Sequence, residues 1–140
     1  MTTELRLALT DLEGHDWGPP SFQSHLVTEC HRLRKRPLRD FTVEDLRIMI
    51  GQNIGLRYLV PLAITRLNEQ PLAEGSYFPG DLLCNVLRVE PNYWKQYPKQ
   101  RQQVTEISDH AVRALDHLDE ERQGSRAYIE EGLAVFRRNG

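Results

Sequence analysis

Two histidine–aspartate pairs near the C-terminal end of the chain are the side chains best suited to bind a metal ion. His110 follows Asp109 and His117 follows Asp116, so the two histidines stand seven positions apart. Metal-binding helices usually place their histidines one turn apart, and a site needs more than two neutral ligands. The pairs therefore indicate a solvated helix face, and we expect no metal ion and no cofactor.

Two pairs of carboxylates are candidates for general acid–base catalysis. Glu44 and Asp45 are adjacent, whereas Glu74 and Asp81 flank a turn that contains Tyr77 and would form the rim of a pocket. Helix capping explains Glu74 and Asp81 more economically. No serine or cysteine lies in a nucleophile motif. The sequence therefore favours a protein that is not an enzyme, and an acid–base enzyme remains an alternative.

A basic run at residues 32–39 is the candidate for binding nucleic acid. The same cations would also stabilise the negative C-terminal end of a helix. Neither a recognition-helix signature nor interleaved aromatic residues accompany the run, and the net charge of −2 opposes phosphate binding. A small helical nucleic-acid-binding or regulatory protein is thus an alternative function. The run holds five of the eighteen lysines and arginines: Arg32, Arg34, Lys35, Arg36 and Arg39.

Acidic residues are concentrated towards both ends of the chain. Residues 106–131 contain eight acids against three arginines, and residues 1–20 contain four acids against one arginine, with Trp17 beside Asp16. Such charge either solvates helix faces or complements a basic protein partner, because opposite charges accelerate encounter and fix the register of binding.

The composition is that of a soluble globular protein. The 140 residues are 39% hydrophobic and 27% charged, which predicts a single domain over residues 1–140 with a core that needs no disulfide. Cys30 and Cys84 lie in helical apolar patterns, so we expect both to be small buried side chains in a reducing compartment. The first residues lack the basic and continuous apolar segments typical of a signal peptide, and no run of about 18 apolar residues is present. We therefore expect a cytoplasmic protein.

Apolar residues recur at helical spacing through most of the chain. Thr42 and Asp81 are predicted to cap helices, and Pro91 and Pro98 to begin two more. Because no alternating strand is evident, the sequence predicts an all-α fold, a bundle of about six to eight helices without a substantial sheet. The clearest stripes are Val104, Ile107, Ala111, Leu115 and Leu118, followed by Ile129, Leu133 and Phe136.

Three shorter stretches of the chain allow local structural predictions. Ser21 is predicted to cap a helix whose buried stripe is Phe22, Leu26, Cys30 and Leu33. A later helix over residues 56–67 is apolar on most sides, and Pro61 should delay its start or kink it. Residues 71–80 should form an ordered loop, folded against the core through Leu72, Tyr77 and Phe78.

The central scaffold, residues 41–89, resembles a known bacterial family. The segments that carry the resemblance are TVEDLRIMIGQ at 42–52, YLVPLA at 58–63 and PLAEGSYFPGDLL at 71–83. They look like the contact-dependent growth inhibition immunity proteins, over about residues 12–94. The resemblance implies a small cytoplasmic antitoxin without catalytic activity, which binds the C-terminal toxin domain of a cognate effector. In related systems that toxin is often a nuclease. Arg57 departs from the pattern, since a small or turn-forming residue is expected there.

The residues that carry this resemblance are mainly of types that build cores and turns. Specificity for one toxin must instead come from exposed groups, so we interpret residues 41–89 as a buried scaffold with the binding surface around it. An acidic surface with aromatic anchors would match a basic nuclease. We expect a monomer or weak dimer that binds neither nucleic acid nor membrane. The predicted toxin-binding residues are Asp16, Trp17, Asp109, Asp116, Asp119 and Glu120.

Overall fold

Helices make up almost all of the regular structure of this chain. The computed structural model describes residues 4–14, 17–18, 24–118 and 124–138, and across these ranges the only strand-like pairing is an isolated bridge between Glu74 and Pro79. This confirms the predicted all-α fold. No helix of the described residues is both long and apolar enough to span a bilayer. The α-helices are α1 (Leu9–Glu13), α2 (His25–Leu33), α3 (Val43–Gly51), α4 (Leu56–Glu69), α5 (Asp81–Leu87), α6 (Pro91–Gln96), α7 (Pro98–Leu115) and α8 (Ser125–Arg138).

The predicted start of α3 is confirmed by a reciprocal pair of hydrogen bonds. The Thr42 hydroxyl accepts the N–H of Asp45 at 3.1 Å, and the Asp45 carboxylate accepts the N–H of Thr42 at 3.0 Å. This capping box satisfies two backbone donors that a helix start leaves without partners. Pro91 and Pro98 likewise begin α6 and α7, where a missing N–H costs nothing.

The second helix begins later than the sequence indicates. Its cap is Ser24, whose hydroxyl accepts the N–H of Val27 at 3.1 Å; Ser21 and Phe22 lie outside the described residues. Cys30 and Leu33 are buried as expected, but Leu26 is 43% exposed. Its position in the first turn explains the difference, because Leu26 there borders a surface groove and not the core.

Helix α5 is the centre of the fold. It packs against α3, α4 and α8, and six of its seven residues are buried. A short helix enclosed on three sides must be apolar around most of its circumference, which explains its sequence DLLCNVL. Cys84 lies here as a buried free thiol, like Cys30 in α2. Burial raises the pKa of Cys84 to about 11 and also raises the pKa of Cys30. Both cysteines are buried free thiols and serve as small core side chains, as predicted.

Helix α4 is buried on several faces and continues through its proline. It begins directly after Gly55, which has a φ of 61°, and includes Pro61 in its sixth position. Of the two effects predicted for Pro61, the delayed start is therefore wrong, and the kink stays a prediction. Proline lacks only the one N–H that would donate to Arg57, and the surrounding contacts with α3, α5 and α7 hold the helix in place.

Helices α7 and α8 follow the two predicted stripes. Seven of the eight stripe residues are buried, and Leu118, which lies three residues beyond the end of α7, is half-buried. The loop at residues 71–80 covers the core beside α8, where Gly80 lies directly against the side chain of Ile129. The fold thus packs this loop between the start of α5 and the start of α8.

We predict that Gly80→Ala lowers the free energy of unfolding by about 1–3 kcal/mol. Gly80 has a φ of +89°, and an added Cβ would lie 2.7 Å from Ile129 Cδ1 and 3.3 Å from Leu72 Cδ2. Gly124→Ala is the matched control, because nothing lies within 4 Å of its Cβ position. Urea unfolding followed by circular dichroism measures both. Equal stabilities for the two variants would contradict the close packing at Gly80.

Candidate partner-binding site

The buried carboxylate of Asp81 holds the loop at residues 71–80 in one conformation. Its oxygens accept backbone N–H groups from Gly75 at 2.7 Å, Tyr77 at 3.0 Å and Phe78 at 3.4 Å. The prediction that Asp81 caps α5 is wrong, because Gly80 occupies the cap position and Asp81 is the first helical residue. From there its side chain turns back to the loop, where three donors outside any helix need an acceptor.

A second carboxylate, that of Glu44 in α3, also binds this loop. It accepts the N–H of Ser76 at 2.9 Å and two hydrogen bonds of 2.6 Å from Arg47. The hydrogen bonds from Arg47 are the main reason that the pKa of Glu44 is lowered to about 2. Glu44 is therefore a carboxylate at neutral pH and has no proton to donate as a general acid.

Arg47 connects these groups to an exposed aromatic surface. Its guanidinium carbon lies 4.4 Å from the ring centroid of Tyr77, and Tyr77 is 70% exposed. On the next residue, the Phe78 ring stacks on Tyr128 of α8 with centroids 5.2 Å apart, and Tyr128 is 56% exposed. We call Tyr77, Phe78 and Tyr128 the tyrosine surface. It borders a depression of about 510 Å³.

Comparison with known proteins identifies the family. A model of the CDI immunity proteins, where CDI denotes contact-dependent growth inhibition, matches residues 11–104. This chain belongs to the CDI immunity proteins. The match includes the 71–80 loop and both carboxylates that hold it, but α8 lies beyond it. No curated protein and no solved structure gives a significant match to the chain.

Three of the six toxin-binding residues predicted for this immunity protein lie among the described residues. Asp109 and Asp116 are exposed on or directly after α7. Asp116 accepts a hydrogen bond of 2.7 Å from Arg126 at the start of α8. The structure therefore joins Asp116 to the helix that carries Tyr128. Outside the described residues lie Asp16, Asp119 and Glu120.

Trp17, the predicted aromatic anchor, has an internal packing role. Its ring centroid lies 4.2 Å from the guanidinium carbon of Arg34 and 5.0 Å from the His31 ring. Arg34 is only 3% exposed and forms an ion pair with Glu13. Trp17 covers the buried guanidinium of Arg34 and leaves 39% of its own surface exposed. Trp17 thus packs against α2 and the residue after it, whereas Asp116 binds α8, so neither contact brings these two predicted residues together.

Ion pairs within the immunity protein occupy much of the basic run at residues 32–39. Arg32 binds Glu29 at 2.6 Å, and Arg36 binds Asp45 at 2.5 Å. With the pair formed by Arg34, three of the five cations face carboxylates of α1, α2 and α3. Arg34 and Arg36 connect the end of α2 to α1 and α3, whereas Arg32 pairs within α2. Within the described part of the chain, the other two cations of the run, Lys35 and Arg39, form no ion pair with a carboxylate.

The histidines of α7 do not converge with other ligand types. No group of three or more histidine, cysteine, aspartate or glutamate side chains in the described ranges is arranged to bind a metal ion. His110 is exposed on α7, and His117 lies two residues beyond its end. Both side chains are exposed to solvent.

Sequence reasoning missed the two exposed tyrosines. Tyr77 was expected to pack inward with Leu72 and Phe78; Leu72 is buried and Phe78 half-buried, but Tyr77 points outward over Arg47. The reason is the hydrogen bonding of the loop, which fixes the backbone at this residue. The exposure of Tyr128 could have been predicted from the sequence, because this aromatic residue lies outside the buried stripe of α8.

We predict that Glu44→Gln lowers the free energy of unfolding by about 1–3 kcal/mol at pH 7, because it weakens charge-assisted hydrogen bonds to Arg47 and Ser76. The pKa of Glu44 is about 2 in the folded protein, against an ordinary value of 4.5. A lowered pKa stabilises the fold fully above the ordinary value, and this contribution is lost as pH falls towards about 2. The difference between wild type and variant should therefore shrink across that window.

Urea unfolding at pH 7 and at acid pH tests this expectation. Glu131→Gln, at an exposed position of α8, is the control and should change stability by less than about 0.5 kcal/mol. A difference between wild type and the Glu44 variant that stays constant with pH would show that ionised Glu44 does not hold the loop.

Proposed function

We propose that this immunity protein binds and neutralises the C-terminal toxin domain, of nuclease type, of a cognate CDI effector. The family match over residues 11–104 is the observation that carries the proposal. Neutralisation of this kind needs only a surface that covers the toxin's active site. The protein therefore acts as a stoichiometric binding partner in the cytoplasm and not as an enzyme.

The hydrogen bonds that its buried and half-buried carboxylates accept support a binding role for the protein. Three of the four acids considered for catalysis, Glu44, Asp45 and Asp81, accept hydrogen bonds that hold α3 or the 71–80 loop. Acids used in this way are not free to exchange protons with a substrate. The ion pairs in the basic run similarly support a structural role for those arginines over contact with nucleic acid phosphates.

The acidic surface near the end of α7 suits a basic partner. Asp109 and Asp116 are exposed, and the sequence adds Asp119 and Glu120 close behind them. A nuclease must attract a polyanion, so its cleft carries positive charge that an acidic protein can complement. In this proposal these acids, with Asp16 and Trp17, face the toxin as it approaches.

Growth rescue tests the proposed function directly. The C-terminal domain of the effector encoded beside this chain should stop the growth of cells that express it alone, and co-expression of the immunity protein should restore growth. An unrelated CDI toxin domain is the control and should remain toxic, because immunity depends on a specific interface. Continued toxicity of the neighbouring domain in the presence of this protein would refute the proposal.

We predict that lysine at positions 116, 119 and 120 slows association with the toxin domain roughly tenfold at low salt, since electrostatic steering changes association rates by about 10–1,000-fold. The salt dependence of association should also decrease. A triple variant with lysine at the exposed positions Asp40, Glu69 and Glu90 is the control, because it has the same net charge. Stopped-flow mixing measures both. Equal association rates for the two variants would contradict a local acidic surface.

A further inference from the structure

Tyr77 and Tyr128 are the most exposed large apolar side chains of the described residues, at 70% and 56%. The other large apolar side chains described as exposed reach at most 43%. Both tyrosines border the depression of about 510 Å³, and Tyr77 also borders a second groove of about 390 Å³ beside α2 and α3. Tyr77 thus forms a ridge between two concave surfaces.

The protein holds these rings in place before any partner binds. The backbone of Tyr77 is hydrogen-bonded to Asp81, its neighbour Ser76 to Glu44, and its ring lies on Arg47. Tyr128 sits on a helix and stacks on Phe78. Because little side-chain or loop freedom remains to be lost, such rings bind a partner with a small entropic cost.

The charged side chain that borders the tyrosine surface at the depression is an acid. Glu74 is exposed there, and the described residues that line the depression include neither lysine nor arginine. Arg47, under the Tyr77 ring, is paired with Glu44 and lies near Asp81. Arg126, two residues before Tyr128, lies on the opposite side of α8, where it pairs with Asp116 at 2.7 Å and Glu130 at 3.6 Å.

Exposed tyrosine faces beside an exposed acid suit arginine and lysine side chains. The face of an aromatic ring attracts a cation, and the carboxylate of Glu74 adds charge complementarity. Rigid tyrosines are also among the residues that contribute most to binding at protein interfaces. An acidic partner would bring like charge against Glu74, and a purely apolar partner would desolvate this carboxylate without offering a positive charge.

We propose that Tyr77 and Tyr128 anchor a cationic face of the toxin domain, with arginine or lysine side chains of the toxin seated in the depression between them. The inference rests on the proposed function and names its binding surface. In this arrangement the acids near residue 116 accelerate encounter, and the tyrosine surface slows dissociation.

The experiment measures binding of the purified C-terminal domain of the neighbouring effector to wild type, Tyr77→Ala and Tyr128→Ala. We expect each substitution to raise the dissociation constant roughly 30-fold, mostly through faster dissociation. The Tyr77→Phe/Tyr128→Phe double variant keeps both rings and should bind within a few-fold of wild type. Leu7→Ala removes an exposed apolar side chain that precedes α1, and should leave binding unchanged.

Two charged substitutions test the cationic character of the partner. Tyr128→Arg should weaken binding more than Tyr128→Glu, because only arginine repels a basic face. Circular dichroism spectra matching wild type confirm that the variants are folded. A larger loss with glutamate than with arginine would overturn the proposed partner chemistry.

The possible failures are distinguishable. Absence of binding by wild type would overturn the proposed function and this inference together. Tight binding by wild type with unchanged affinity in both alanine variants would overturn this inference alone. If the alanine variants alter only self-association, measured by sedimentation, the surface belongs to a second copy of this chain and the inference is again overturned.

Discussion

The buried carboxylate of Asp81 is the interaction on which the arrangement of the loop and its neighbours depends. A charged group that is only 2% exposed is costly to bury unless hydrogen bonds and an opposite charge compensate it. Here three backbone N–H groups of the loop and the nearby Arg47 do so. Since Asp81 is also the first residue of α5, the central helix and the loop are positioned by one side chain.

The same arrangement links the interior of the protein to its surface. Arg47 of α3 contacts Glu44 and lies near Asp81, and the Tyr77 ring lies on its guanidinium. A shift of α3 against α5 would therefore move the exposed ring as well. The interpretation of residues 41–89 as a buried scaffold thus needs refinement, because this segment also presents an exposed side chain from a rigid loop.

Charged residues in this protein have two different roles, which the sequence alone does not distinguish. Near the N-terminus, Arg34 and Arg36 pair with Glu13 and Asp45 across helices, so cations that resemble a binding patch hold the fold together. At the end of α7, acids such as Asp116 stay largely exposed even when paired. Burial separates the two cases, because an exposed ion pair adds little stability and leaves its charge to act on a partner.

The sequence by itself determined the all-α class, the helix cap at Thr42, the buried stripes of α7 and α8, and the family. These features depend on periodicity and on hydrogen bonds between residues three or four apart, which local sequence encodes. Only the tertiary structure decided that Asp81 binds the loop, that Trp17 covers Arg34, and that Tyr77 points outward beside Tyr128. Each of these contacts involves residues that are distant in sequence or a loop whose backbone N–H groups bind such residues. A local sequence pattern does not show which distant residue a side chain will contact.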